Sequence, residues 1–295
     1  MIEKLEFLIA VAREENFRRA AEACGVAQPT LSAAIKALEE QLGVLLIRRN
    51  ARFQGLTPEG ERVLTWAKRM VADSRAMREE VRTLRRGLSG QLRLAVVPSA
   101  LPFTPVLTKL YRRDHPDVHV TVLTRSSIEI LGMLDGLEAD AGITYLGNET
   151  IGRLRTVSLY AERYRLLTAQ SGPMRDRTSV TWAEVRTLPL CLLTPDMQNR
   201  RILDRLIGPE ALATAITLES DSVIALIAHV RDGGLTTIVS DRVAHMLAGQ
   251  APFRSAAIIE PDASFEIGLV APERQPSSPL VETLMTMVRR AGTFA

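Results

Sequence analysis

Apolar residues in the first 56 positions recur three and four apart, the spacing of short amphipathic helices. Leu5, Phe7, Leu8, Val11 and Ala12 mark the first. Asn16 is placed to cap a second, Phe17 to Cys24, which Gly25 ends. A third runs from Gln28 to about Gln41, with Leu31, Ala34, Ile35, Leu38 and Leu42 on its apolar face and Gly43 as its stop. Asn50 to Gly55 read as a turn between two short extended segments. Thr57-Pro58 then supplies an N-cap and a first-turn proline to a much longer helix, free of Gly and Pro from Glu61 to Arg86. Its positions Val63, Ala67, Met70, Ser74, Met77, Val81, Leu84 and Leu88 alternate in steps of four and three. That is a heptad seam, which predicts pairing with a second copy; the competing reading packs the helix on its own domain.

After Gly87-Leu88-Ser89-Gly90 the pattern changes. LRLAVVP is a short apolar run suited to a buried strand, and strand-like and helix-like segments then alternate. Strands are expected at 118–124, 140–146, 163–169, 189–194, 236–240 and 266–272. Helices are expected at 128–137, 222–230 and from Pro279 to about Arg290. This predicts an α/β domain of parallel sheets behind an all-α winged module.

Composition narrows the classes. The chain has 295 residues, long enough for two or three domains, with 46% hydrophobic and 24% charged residues. No run of 18 apolar residues predicts a membrane span, and Glu6 breaks the N-terminal apolar run, so a secretory signal is not expected. Cys24 and Cys191 lie too far apart in sequence to suggest a disulfide framework or a zinc site, and both read as core thiols; a cytoplasmic location is expected. His115 and His119 have no third ligand, and Trp66 and Trp182 read as packing residues. Phosphate-loop, dinucleotide and nucleophile-elbow motifs are absent, which argues against an enzyme. Charge is uneven: the first 90 residues carry 16 Lys and Arg against 12 Asp and Glu, the remainder 21 against 22. A basic N-terminal third hints at an anionic partner.

Ala20 and Ala21 allow close helix approach, and Gly25 permits the tight turn of a helix-turn-helix. The helix that follows presents Gln28, Thr30, Ser32, Ala33 and Lys36 on its polar side, the side that enters a major groove. Gln can read adenine, and Ser or Thr either partner of a base pair. Arg48, Arg49 and Arg52 stand in the wing, where they can neutralise phosphates; Arg18 and Pro29 complete the predicted DNA-facing set. A small helical bundle that binds protein is the competing reading.

The stretch AAEACGVAQPTLSAAIKALEEQLGVLLIRRNARFQGLTPEGERVL resembles the N-terminal signature of the LysR-type transcriptional regulators. It matches in five elements in order: AAE, V-x-Q-P-x-LS, I-K-x-LE, LG-x-x-L and LT-x-x-G. Ala27 stands where that family commonly has Ser, Ala33 where it has Arg, and Ile47 where it has Phe. The resemblance implies a winged helix-turn-helix domain at 1–57, a linker and dimerisation helix at 58–86 and a hinge at 87–90. An effector domain similar to periplasmic binding proteins would follow at 91–295. Its subdomain I would take 91–161 and 266–295, and subdomain II 162–265.

The seam residues expected to dimerise are Val63, Ala67, Met70, Met77, Val81 and Leu84. Ligands of open α/β sheets bind beyond the carboxyl ends of strands. The candidates there are Ser99, Ala100, Arg125, Ser126, Ser127, Tyr145, Thr194, Gln198, Asn199, Arg200 and Ser222. Hydroxyls, helix N-termini and arginines suit a small anion, especially a carboxylate. Ser and Thr at these places also serve simply as helix caps. The segment LLTPDMQNRRI resembles regulators found beside formate dehydrogenase genes. The implied partners are operator DNA, the small effector, RNA polymerase and further copies of the chain as a dimer of dimers. No cofactor, metal or membrane is implied. A solute-binding protein is the alternative that shares the second fold.

Overall fold

The computed structural model describes all residues except 51, 148–153, 175, 248, 250, 251 and 295, and leaves out the side chains of Arg49, Asn50 and Arg52. The N-terminal module comprises α1 (Ile2–Glu14), α2 (Phe17–Ala23), α3 (Gln28–Leu42), the hairpin β1 (Ile47–Asn50) and β2 (Arg52–Leu56), and the long α4 (Pro58–Arg86). The Asn16 side chain caps α2 by accepting from the backbone N–H groups of Arg18 and Arg19. Ala27 caps α3 without any side-chain bond, as its methyl group requires. Leu8, Val11, Ala20, Leu31, Ile35, Leu38, Leu46 and Val71 are fully buried and form one core. A buried carboxylate finishes it: Glu39 Oε1 accepts from the backbone N–H of Leu46 at 2.9 Å and of Ile47 at 3.3 Å, tying α3 to the wing.

Two glycines show what the local motif is for. Gly43 ends α3 in the left-handed region at φ 70°, which favours glycine. Gly60 lies so close to the wing that a Cβ there would stand 2.0 Å from the Leu46 carbonyl oxygen. Thr57 Oγ1 accepts from Gly60 N–H at 2.9 Å and donates to Leu45 O at 2.6 Å, so one turn clamps α4 onto the segment that leads into β1.

The C-terminal domain follows as β3 (Gly90–Val96), a 3-10 turn Pro98–Phe103, α5 (Thr104–Asp114), β4 (Val118–Thr124), α6 (Ser127–Asp135) and β5 (Ala141–Tyr145). The chain continues through β6 (Leu154–Ala169), β7 (Ser179–Thr181), α7 (Trp182–Val185), β8 (Leu190–Leu193), α8 (Gln198–Ile207), α9 (Pro209–Ala215), β9 (Ile216–Ser220) and α10 (Val223–Arg231). It closes with β10 (Thr237–Ser240), α11 (Asp241–Met246), β11 (Phe253–Ile259), β12 (Ser264–Pro272) and α12 (Pro279–Ala291).

The expectation of parallel sheets is corrected: the arrangement is mixed. β3 pairs in parallel with β4 and β5, and β8 with β9, but β12 runs antiparallel to β5 and β6, and β10 and β11 run antiparallel to β6. Alternation of strand and helix cannot reveal direction where a late strand returns to an early one. β6 is the spine: residues 154–163 pair with β12, and residues 164–169 with β10 and β11. The strand expected at 163–169 is therefore the second part of a longer one, and the chain passes between lobes inside it.

The long helix also corrects its own seam. Ala67 is fully buried and Val63 half-buried against the N-terminal core, so neither is free to pair with a second copy. They face the N-terminal core because the first three turns of α4 complete that module. Met70, Met77, Val81 and Leu84 stay exposed, joined by Trp66. A second joint binds the two domains: Leu137, just after α6, packs into the N-terminal core at 7% exposure. Arg75 donates to Leu137 O at 3.1 Å and pairs with Glu6 at 3.3 Å, and Lys68 pairs with Asp135.

Gly60→Ala forces its new methyl group into the Leu46 carbonyl, so thermal unfolding should show the N-terminal module destabilised by about 1–3 kcal/mol, the usual cost of overpacking. An unchanged melting temperature would contradict this packing.

Candidate functional site

Two surfaces carry chemistry. The first is the outer face of α3. Leu31, Ile35 and Leu38 point inward, which turns Gln28, Pro29, Ala33 and Lys36 outward into solvent and leaves Ser32 half-exposed. Thr30 is exposed on the first turn. Among the described residues Lys36 makes a solvent-facing 3.6 Å pair with Glu40, and Arg18 one with Glu22 at 3.0 Å, and exposed pairs of this kind yield to a stronger anion. Arg48 is exposed at the start of the wing; Arg49 and Arg52 lie outside the described side chains. The face is therefore polar, basic at its flanks and backed by a packed core.

The second is a buried polar cluster where the lobes of the C-terminal domain meet. It is assembled from Ser99 after β3, Tyr145 at the end of β5, Glu162 and Tyr164 on β6, Asn199 on α8 and Ser240 at the end of β10. Ser99 Oγ and Tyr145 Oη lie 2.9 Å apart. Tyr145 Oη donates to Glu162 Oε1 at 2.5 Å and lies 3.4 Å from Tyr164 Oη, which also bonds the Asn199 side chain. Ser240 Oγ donates to Ser99 O at 3.1 Å. Glu162 sits where β6 changes partners, opposite Phe265 of β12 and two residues before Tyr164, which pairs with Ser240.

Burial sets the protonation here. Glu162 is fully buried, and loss of water pushes its carboxyl up to about 8, against the smaller opposing effect of hydrogen bonds from Tyr145 and Ser99. The same desolvation, with the Glu162 charge behind it, raises the Tyr145 and Tyr164 hydroxyls well above their ordinary value. Glu162 Oε2 and Thr194 Oγ1 are buried without a hydrogen-bond partner among the described residues. Each such atom costs about 1–3 kcal/mol unless something satisfies it.

Of the candidates read from the strand ends, Ser99, Tyr145 and Asn199 lie together in this cluster. The other candidates are placed elsewhere. Ala100 is fully buried and offers only a methyl group. Ser126 is spent capping α6 in a capping box with Glu129, and Ser222 caps α10 through Ala225 N–H. Ser127 accepts from Thr144 Oγ1 at 2.9 Å. Arg125 is exposed and turns back to Thr124 O. Gln198 accepts from Arg201 at 2.8 Å. Arg200 is corrected outright: it is 8% exposed, pairs with Asp204 at 3.0 Å and with Glu219, and donates to Leu193 O. Its guanidinium holds α8 to β8 and β9 inside one lobe, because a buried cation must be paired where it sits.

Glu162, Tyr164 and Ser240 are not among the candidates read from the sequence. A signal exists: Tyr160, Glu162 and Tyr164 alternate with exposed Ala161 and Arg163, which puts a carboxylate on the buried face of a strand.

Among the described residues, no helix is long and apolar enough to cross a membrane, and no group of three His, Cys, Asp or Glu could hold a metal ion.

Comparison with known proteins gives a family for each of the two domains. Residues 2–61 match the family model "Bacterial regulatory helix-turn-helix protein, lysR family", and residues 85–293 match "LysR substrate binding domain". A hydrogen peroxide-inducible genes activator of Dickeya chrysanthemi is 28% identical over 193 residues, 65% of this chain and 63% of that protein. The match thus spans less than two thirds of that activator. The HTH-type transcriptional regulator YnfL of Escherichia coli K12 is 29% identical over 284 residues, 93% of each chain. In fold, the chain is similar to a full-length OxyR variant from Pseudomonas aeruginosa, with a TM-score of 0.72 and 23% identity over 98% of this chain and 94% of that one. With both family models matched in order across nearly its whole length, the chain belongs to the LysR family of bacterial regulatory helix-turn-helix proteins.

Proposed function

We propose that the chain is a DNA-binding transcriptional regulator, not an enzyme, whose operator binding responds to a small carboxylate held at the Ser99–Tyr145–Glu162 cluster. The observation that carries this is the pairing, in one chain, of an exposed polar recognition helix with a buried, under-satisfied polar cluster between two lobes. It acts in the cytoplasm, where its DNA is. Gln28 and Ser32 reach base edges; Arg18, Thr30, Lys36, Arg48, Arg49 and Arg52 hold phosphates. Self-association runs along Trp66, Met70, Met77, Val81 and Leu84, which are 42% to 82% exposed. Exposed Ile128 and Ile224 on the C-terminal domain offer a second surface for joining two dimers. RNA polymerase access then follows the shape of the tetramer.

The ligand is an anion for a physical reason. The Ser99 and Tyr145 hydroxyls are engaged with one another and with Glu162, which leaves the Tyr164 hydroxyl and the Asn199 amide to donate, and Glu162, kept neutral by burial near pH 7, adds a donor instead of an opposing charge. Such a ligand shifts the lobes only through its differential affinity for their two arrangements. Thiol-based peroxide sensing does not suit this chain. Burial pushes Cys191 up to about 11 and leaves its thiol bonded to the Leu226 and Thr236 carbonyls, and burial raises Cys24 as well.

Four variants test this reading. Gln28→Ala with Ser32→Ala should erode sequence discrimination in equilibrium binding by about 1–3 kcal/mol for each base-reading side chain removed. Arg49→Gln with Arg52→Gln should instead weaken all sequences alike and reduce the salt slope by about one for each phosphate left without its cation. Unchanged discrimination and slope would refute the interface.

The pH dependence has a definite sign. Folding raises the Glu162 pKa, so the folded state binds the extra proton and stability falls as pH rises from the ordinary carboxylate range to about 8. Glu162→Gln should flatten that fall in thermal melts. It should also hold affinity for small carboxylates, formate included, above pH 8, where the wild type loses it. Identical pH profiles would exclude Glu162 from the site.

Met77→Asp with Val81→Asp should split the assembly in analytical ultracentrifugation while leaving the monomer folded. An unchanged sedimentation coefficient would rule out the seam.

A further inference from the structure

A second groove lies away from the polar cluster, between α4 and the first lobe. It has a volume of about 390 Å³ and is walled by arginines: Arg75, Arg78 and Arg82 from α4, Arg93 from β3 and Arg274 from the segment after β12. Volumes of this order suit small-molecule ligands. Arg75, Glu79 and Arg82 occupy the helical face opposite Met77 and Leu84, so pairing along those two leaves the groove open, while Arg78 stands at its rim beside Val81.

The charge in this groove is not balanced. Arg93 is neutralised by Asp140 in a two-point pair, its Nη2 at 2.7 Å, and Arg75 by Glu6. Arg78, Arg82 and Arg274 form no ion pair among the described residues. The one further carboxyl in the wall, Glu79, is half-buried and accepts from Ser278 Oγ at 2.5 Å. Burial pushes its carboxyl up, which weakens it as a counter-charge to Arg82 and Arg93. Burial also depresses the Arg274 guanidinium, whose one hydrogen bond among the described residues is a long 3.4 Å contact to Leu134 O; Asp135, Asp73 and Asp140 oppose that depression from a distance. The backbone makes room for the cations: a Cβ on Gly90 would come within 3.2 Å of Arg82 Nη1. Three under-compensated guanidinium groups converging on a groove of ligand size match an anion of more than one charge. Guanidinium forks bind phosphate oxygens two at a time.

We propose that this groove binds a small, multiply charged phosphorylated metabolite, at a site separate from the carboxylate cluster. Its walls come from α4 on one side and from β3 and the post-β12 segment on the other. A ligand there would bridge the helix that carries the DNA-binding module to the domain that senses the effector. It would favour the packing that Leu137 and Arg75 already make, and so couple a second signal to the same output.

The probe is inorganic pyrophosphate, titrated calorimetrically into the full chain at fixed ionic strength. Saturable binding at one site per chain is expected. Arg78→Gln with Arg82→Gln, both solvent-exposed positions that leave the core intact, should weaken it at least tenfold. The charge-matched pair Arg112→Gln with Arg113→Gln, exposed on α5, should leave it within twofold. Tyr145→Phe in the polar cluster should also leave it within twofold, which separates this site from the proposed effector site whether or not that reading stands. Absence of saturable binding, equal weakening by the charge-matched pair, or loss on Tyr145→Phe would each overturn the proposal.

Discussion

α4 must satisfy three neighbours with one set of side chains. Its first turns give Ala67 and Val71 to the core under α1, and Gly60 lets it press against the wing. A second face carries Arg75, Glu79 and Arg82 toward the C-terminal domain, and a third exposes Met70, Met77, Val81 and Leu84. A straight helix turns about 100° per residue, so none of these stripes can shift without moving the others. That rigidity makes the helix a lever. Whatever turns it relative to the C-terminal domain also turns the recognition surface of α3, because both belong to one packed core.

The lever needs a bearing, and the structure supplies one. Leu137 is buried in the N-terminal core although it belongs to the C-terminal domain, and Arg75 fastens its carbonyl. α6, which ends just before Leu137, begins with the Ser126 cap, directly behind the Ser127–Thr144 bond and one residue from Tyr145 on β5. A rearrangement of the polar cluster therefore has a short packed route, through β5 and α6, to the recognition module. Within the cluster, β6 is shared by both lobes and Glu162 sits where its partners change. The strand that connects the lobes thus also carries the group whose protonation the surrounding hydroxyls depend on.

The N-terminal module is legible in the sequence because its determinants are local. The Asn16 cap, the Gly25 and Gly43 stops and the Thr57 cap each act within one turn, and each appears where the residue pattern puts it. Long-range choices are less visible. Strand direction in the C-terminal sheet depends on which distant segment returns beside β6, and spacing along the chain does not encode that. Ala67 fits a heptad seam and a domain core equally well; only the packing of α1 decides. Arg200 resembles a ligand residue in the sequence because its partner Glu219 lies 19 positions away on β9. Hydroxyls at strand ends mix two roles: Ser126 and Ser222 go to helix caps, while Ser99 and Tyr145 join the cluster.

Nuclease footprinting of the full chain on DNA flanking its own gene, with and without small carboxylates that bind it, puts recognition and response into one measurement. The physical picture predicts an extended protected region at moderate salt that shortens or shifts when a binding carboxylate is added. A carboxylate that binds the chain yet leaves the footprint unchanged would contradict it, as would the absence of any protection.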